Sequence, residues 1–106
     1  GYDYGYCTWY VANRRAAAGK PIPSNLGHAS TWKIRAQAAG YSVGAAPAAG
    51  AVAWKVPHDY YGHVGYVESV NADGSFVIIE MNVAGWNRVS SQTVSPAQLG
   101  QYSFIY

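Results

Sequence analysis

The chain has 106 residues, half of them hydrophobic, and a formal net charge of only +2. This length fits one domain with a single core, and the few, scattered Lys and Arg residues exclude the basic footprint of a nucleic-acid-binding protein. One cysteine excludes an internal disulfide, and no apolar stretch approaches the roughly 20 residues of a membrane span.

Two helices are predicted in the first part of the chain. An alanine-rich segment runs from Cys7 to Ala18 and is followed by Gly19, which suits a left-handed helix cap. A second helix is predicted over 29–39, with Gly40 just beyond its end. Its buried stripe, at three- to four-residue spacing, is predicted to consist of Trp32, Ala36 and Ala39.

The hydrophobic period then changes to that of strands. Asn71-Ala72-Asp73-Gly74 is typical of a hairpin turn between two of them. Helices first and antiparallel strands afterwards indicate an α+β fold. The predicted strands cover residues 51–56, 63–70, 76–82, 88–94 and 102–106.

The only cysteine, Cys7, lies where the first helix is predicted to begin. Helix N-terminal N–H groups and the helix dipole favour a thiolate there. A histidine, His63, and two polar residues, Glu80 and Asn82, follow on predicted strands. Together these residues indicate a nucleophile, a base and an orienting group. The cysteine taken alone better fits a small buried hydrophobe, as most free cysteines do.

Strand alternation decides whether these distant residues can meet. If the hairpin turn has four residues, His63 opposes Asn82 and Gly65 opposes Glu80; a two-residue turn pairs Gly65 with Asn82. Both even turn lengths place His63, Glu80 and Asn82 on one face of the sheet. Only an odd turn or a bulge would separate them.

Glu80 lies in an otherwise apolar run, Val77-Ile78-Ile79-Glu80-Met81. A carboxylate on a buried face needs a partner. One interpretation is a structural ion pair with Lys55 or Arg88. The other, which we favour, is that Glu80 orients His63 and so leaves one ring nitrogen free for Cys7.

Several segments together resemble the CHAP domain, the cysteine- and histidine-dependent amidohydrolases and peptidases related to NlpC/P60 and papain-like thiol hydrolases. The resemblance covers nearly the whole chain. The matching segments are Gly5-Tyr6-Cys7-Thr8-Trp9-Tyr10-Val11-Ala12-Asn13-Arg14, Gly27-His28-Ala29 with Trp32, Gly50-Ala51-Val52, Gly62-His63-Val64, Tyr66-Val67-Glu68 and Glu80-Met81-Asn82.

This resemblance implies a papain-like α+β fold in which N-terminal helices pack on a small twisted antiparallel sheet. It implies cleavage of bacterial peptidoglycan, at the N-acetylmuramoyl-L-alanine amide or within the stem peptide and cross-bridge. The catalytic residues would be Cys7 as nucleophile, His63 as base, Glu80 as orienting residue and Asn82 as a fourth polar member. No cofactor is implied.

Two departures from the family pattern concern the cleft. Tyr6 stands where the family often has Gln before its cysteine, and Leu26-Gly27-His28-Ala29 replaces a common Trp-Gly-Asn-Ala. Aromatic residues are predicted to line a substrate groove. The candidates are Tyr6, Trp9, Trp54, Tyr60, Tyr61 and Trp86.

A metal site is not expected. Some phage-derived members bind calcium through several acidic residues around the cysteine, but here only Asp3 lies nearby. Zinc binding by Cys7 and the three histidines lacks the usual ligand spacing.

We expect residues 1–106 to be a single catalytic domain from a longer exported protein, because the chain has neither an initiator Met nor a signal peptide. Targeting domains or an inhibitor partner would lie outside it, and its location would be extracellular, in the bacterial cell wall, or phage-associated. The alternative is a non-catalytic wall- or peptide-binding module on the same fold.

Overall fold

The computed structural model describes residues 2–55, 62–83 and 85–106. Helix α1 spans Cys7–Ala17, and Gly19 follows it with a left-handed φ of 76°, as predicted. A 3-10 turn, Ala29–Thr31, leads into α2, Trp32–Ala38. The first helix therefore begins at the predicted nucleophile.

The described residues form six strands: β1, Val43–Gly44; β2, Val52–Lys55; β3, His63–Val70; β4, Phe76–Met81; β5, Val89–Val94; and β6, Tyr102–Ile105. These six strands form one antiparallel sheet, in the order β1-β6-β2-β3-β4-β5. Every strand pairing among the described residues is antiparallel, so the α+β prediction is confirmed. β5 is an edge strand, and five of its six residues are partly or fully exposed.

The sheet buries apolar side chains on both faces. Val52, Val64 and Ile105 pack with residues of the helices, including Val11 and Trp32. Their strand neighbours point the other way into a second cluster formed by strands and loops. Its buried members are Ala51, Ala53, Val67, Phe76, Ile78, Val94, Tyr102 and Phe104.

The β3–β4 hairpin departs twice from the predicted turn. Its loop has an odd length: Asn71 N–H donates to Ser75 O at 2.8 Å, which leaves residues 72–74 between them. A bulge between Val67 and Ser69 then shifts the register by one residue. The two departures cancel, because beyond the bulge Tyr66 opposes Ile79, and the same register continued places Gly65 opposite Glu80.

Some local predictions are wrong. The predicted helix over 29–39 starts as a 3-10 turn, where the Thr31 hydroxyl donates to the Leu26 carbonyl at 2.6 Å. Ala39 is exposed because α2 ends one residue earlier, whereas Trp32 and Ala36 are fully buried. The two-residue strand β1 and a 3-10 segment, Pro96–Gln101, were not predicted. Residue 56, the predicted end of β2, lies outside the described residues.

A buried arginine ties α1 to the far end of the chain. Arg15 is 1% exposed, and its guanidinium donates to the carbonyl oxygens of Gly50 and Tyr106, both at 2.7 Å. Burial lowers the pKa of Arg15. These contacts fix the helix that carries Cys7 against the loop before β2 and the end of β6.

Candidate active site

Cys7 occupies the first position of α1, after an extended Tyr6 with φ −91° and ψ 158°. The backbone N–H groups of a first helical turn have no intrahelical acceptor, so they point freely out of the helix end. The Cys7 side chain is half-buried and lines a cavity. The sulfur is therefore accessible, unlike that of an inert core cysteine.

His63, the first residue of β3, bridges Cys7 and Glu80. Its Nε2 lies 2.8 Å from Glu80 Oε1, which leaves Nδ1 for the hydrogen bond with the Cys7 side chain. Burial alone would lower the pKa of His63, but the hydrogen bonds and negative charges of Cys7 and Glu80 outweigh it and raise this pKa from 6.5 to about 9. At neutral pH these two contacts thus hold His63 as an imidazolium.

Glu80 is 1% exposed, and both of its oxygens are occupied. Oε1 contacts His63, and Oε2 accepts a hydrogen bond from Gln92 Nε2 at 2.6 Å. Among the described residues neither Lys55 nor Arg88 forms an ion pair with it. The geometry therefore fits the interpretation that Glu80 orients His63. Gln92 escaped the sequence reasoning because a polar residue on an exposed edge strand is ordinary.

Asn82 lies at the end of β4 with a left-handed φ of 75°. Its Nδ2 donates to the Gly5 carbonyl at 2.7 Å, and its Oδ1 accepts from Asn87 N–H at 2.6 Å. The amide thus holds the segment two residues before Cys7. Both ends of this amide are engaged by backbone groups.

A cavity of about 780 Å³ opens beside Cys7. The connection after α1 supplies one part of its wall, and the start of the chain supplies another. Arg35 and Asp3 place opposite charges in it, and Gly27, His28 and Ala29, the altered family segment, form part of its rim. The remaining lining residues are Tyr2, Tyr6, Cys7, Thr8, Ser24, Asn25 and Gly62.

The predicted groove aromatics lie in different environments. Tyr6 and Trp86 are 51% and 63% exposed and contact each other edge-to-face, with centroids 5.2 Å apart. Trp9 packs against Tyr4. Trp54 is instead half-buried, and its Nε1 donates to the Ala29 carbonyl at 2.7 Å. Tyr60 and Tyr61 lie outside the described residues.

Within residues 2–55, 62–83 and 85–106, no group of three His, Cys, Asp or Glu side chains comes together as a metal site would require. In the same part of the chain no helix is long and apolar enough to cross a membrane.

A helix-borne cysteine hydrogen-bonded to a strand histidine that is backed by a buried carboxylate is the arrangement of a papain-like thiol hydrolase. The CHAP domain family profile matches residues 1–82. The chain belongs to the CHAP domain family.

Staphylococcal proteins are among its relatives. The "Probable autolysin LDP" of Staphylococcus aureus is 43% identical over 99% of this chain and 37% of its own length. The "N-acetylmuramoyl-L-alanine amidase sle1" of Staphylococcus haemolyticus is 41% identical over 99% of this chain and 32% of its own length. The chain thus spans between about a third and two fifths of these curated relatives.

Solved structures show the same fold. The crystal structure of an N-acetylmuramoyl-L-alanine amidase from Staphylococcus aureus superposes with a TM-score of 0.91 and 40% identity, over 96% of this chain and 30% of that one. The crystal structure of Ly7917, 23% identical over 96% of this chain and 53% of that one, has a TM-score of 0.66 and supports the fold alone. The papain-like α+β prediction is confirmed.

Proposed function

We propose that this domain hydrolyses an amide bond of bacterial peptidoglycan through a Cys7 thioester. The observation that carries the proposal is the continuous hydrogen-bonded chain from Cys7 through His63 to Glu80. The names of the relatives, autolysin and N-acetylmuramoyl-L-alanine amidase, support the substrate class. We place its action outside the cell or at the wall, in line with a relative named a secretory antigen.

In the proposed mechanism, His63 holds the proton of the Cys7 thiol and leaves a thiolate at the helix start. The sulfur attacks the amide carbonyl to form a tetrahedral oxyanion. His63 then delivers its proton to the leaving amine as the C–N bond breaks, which gives a thioester and the free amine. Water, deprotonated by the neutral His63, attacks the thioester and releases the acid and the thiol.

The Cys7 backbone N–H is our candidate oxyanion donor, because it lies at the open end of α1. Asn82 contributes by holding Gly5, and so the approach to α1, in place. One of the two N–H groups of its side-chain amide is used in that bond. For Tyr6 we propose contact with substrate, since its exposed ring faces Trp86 beside the nucleophile.

Cys7→Ser and Cys7→Ala variants test the nucleophile. We expect both to fold like the parent, as judged by circular dichroism, and to lose clearing of purified cell walls, because neither side chain forms the thioester. A Cys7→Ala variant that clears walls at the parental rate would refute the proposal.

The rate of iodoacetamide alkylation separates an enzyme from a binding module on the same fold. A His-paired thiolate reacts already fast near neutral pH, whereas an ordinary thiol gains reactivity only towards its usual pKa of about 8.5. The second behaviour would favour the non-catalytic wall-binding alternative.

We propose the bond between the muramoyl lactyl group and L-alanine as the one cut, on the strength of the relatives named amidases. Digestion of purified muropeptides followed by mass spectrometry tests this. Free stem peptide with unmodified L-alanine at its amino end is the expected product. A stem peptide shortened or freed from its cross-bridge would identify an endopeptidase instead.

The exposed Tyr6–Trp86 pair is our candidate for substrate contact. Trp86→Ala should weaken wall binding and raise KM, because it removes an exposed aromatic surface. It should cost little stability, since the ring is 63% exposed and has only partial packing to lose. Trp54→Ala serves as the contrasting variant, since its hydrogen bond to Ala29 predicts a loss of stability instead. Unchanged wall binding and KM in Trp86→Ala would contradict this assignment.

A further inference from the structure

We propose that Gln92 on β5 is a positioning residue of this site, fixing the Glu80 carboxylate so that its other oxygen stays on His63. This inference rests on the proposed function. Gln92 lies beyond residues 1–82, the part of the chain that the family profile matches.

The two oxygens of Glu80 have separate partners, Gln92 at 2.6 Å and His63 at 2.8 Å. With Gln92 in place the Glu80 side chain is only 1% exposed, so these two side chains rather than solvent hold its oxygens. Losing the Gln92 donor would leave a buried carboxylate oxygen without a hydrogen bond, which disfavours the charged form and permits rotation. Gln92 therefore protects both the charge and the orientation of Glu80.

Strand register explains why this residue is a glutamine. Gln92 pairs directly with Ile78, whereas Ser90 pairs with Glu80, so the Gln92 amide reaches diagonally across the ladder. Diagonal neighbours are about 7–8 Å apart, within reach of long side chains. An asparagine, one methylene shorter, is expected to fall short.

The amide is also neutral, and this matters for His63. A Lys or Arg at position 92 could make the same contact, but its charge would offset that of Glu80 and weaken the hold on the His63 proton. A neutral donor keeps Glu80 charged and leaves that charge to the imidazole.

Other groups also act on His63 and Glu80. Cys7 faces His63 from α1. Lys55 on β2 lies opposite His63 in the register of the β2–β3 ladder. Tyr102 on β6 lies near Glu80, and burial together with that carboxylate raises the pKa of the phenol. None of them contacts Glu80 Oε2, so a Gln92 substitution isolates this oxygen.

The experiment compares Gln92→Met, which keeps the length and removes the donor, with Gln92→Glu and with the control Thr93→Ala, an exposed position next along β5. His63 is titrated by NMR in each protein, and wall clearing is followed against pH. For Gln92→Met we expect the His63 titration midpoint to fall by about one unit. Relative clearing should then drop by up to about tenfold on the alkaline side and change little near pH 6. Thr93→Ala should match the parent.

Gln92→Glu is the second, independent variant. Two adjacent carboxyl groups share a proton at low pH and repel each other once both are charged. Clearing by Gln92→Glu should therefore persist at acidic pH and decline as the pH rises. The parent should keep its rate up to the pH at which His63 loses its proton, near 9. The shape of this profile reports on the contact even if Gln92→Met folds poorly.

The outcomes are distinct. A parental His63 midpoint in Gln92→Met, or a loss of clearing that is equal at all pH values, would overturn the positioning role, because a purely structural residue gives that result. If the parent itself shows no Cys7-dependent clearing, the proposed function fails. The NMR midpoints then still decide whether Gln92 acts on His63 through Glu80.

Discussion

Replacing Glu80 by Gln tests how much of the His63 charge depends on this carboxylate. The pKa of His63 rises from 6.5 to about 9, which corresponds to roughly 3 kcal/mol of interaction favouring the imidazolium. Cys7 and Glu80 both contribute to this effect, so we assign about half, or a little over one pH unit, to Glu80. The variant keeps the shape of the side chain and removes its charge.

The assay is the pH dependence of cell-wall clearing, with each protein normalised to its own plateau. Because the imidazolium must protonate the leaving amine, the parent should lose activity on the alkaline side near pH 9. In Glu80→Gln this limb should move to about pH 7.5–8, which gives roughly a three- to eightfold lower relative rate at pH 8.5 and little change near pH 6.

Glu68→Gln is the matched control for this substitution. Glu68 is also a strand carboxylate, but its side chain is 48% exposed and pairs with Arg14 at 2.7 Å, away from His63. Its profile should follow that of the parent. An alkaline limb that stays near pH 9 in Glu80→Gln would refute the claim that this carboxylate holds the His63 proton.

Three further predictions concern stability and local geometry. Asn82→Ala should lower the free energy of unfolding in urea by about 2–3 kcal/mol, through two lost hydrogen bonds and a positive φ, and Asn82→Gly by about 1 kcal/mol less; equal losses would contradict the strain argument. The raised pKa of His63 stabilises the fold fully below pH 6.5, and this contribution is lost as the pH rises through about 9. Urea titrations across that window should show a decline of at most about 3 kcal/mol that is smaller in Glu80→Gln, and a flat profile in the parent would disprove it. Gly62→Ala should lower the free energy of unfolding by about 1–3 kcal/mol, since φ is 71° and the added Cβ would lie 2.8 Å from the Ser30 nitrogen. Because Gly62 directly precedes His63, clearing should also be impaired. Parental stability would refute this prediction.

Much of the architecture follows from sequence pattern, because helix and strand periods differ and glycines mark the ends. The first helix and the strands that carry His63 and Glu80 were predicted close to their observed bounds. Two-residue β1 is too short to show any period. The 3-10 start of the second helix depends on side-chain bonds such as that of Thr31 to Leu26, which no pattern encodes.

For the site, strand parity predicted that His63 and Glu80 share a face, and the structure brings them into contact. The shared face was predicted for an even turn, and it is preserved because an odd loop and a bulge compensate for each other. Gln92 could be found only once the β4–β5 register was known. Likewise, the bond of Asn82 to Gly5 spans 77 residues and depends on how the end of β4 meets the start of the chain.

The buried Arg15 has a consequence for the position of α1. Its guanidinium charge has no carboxylate to neutralise it among its described hydrogen bonds, and the carbonyls of Ile105 and Tyr106 lie 90 and 91 residues away. Burying this charge is unfavourable unless β6 is in place to supply these carbonyl acceptors. The buried position of α1, and with it that of the Cys7 sulfur, therefore depends on β6 being docked.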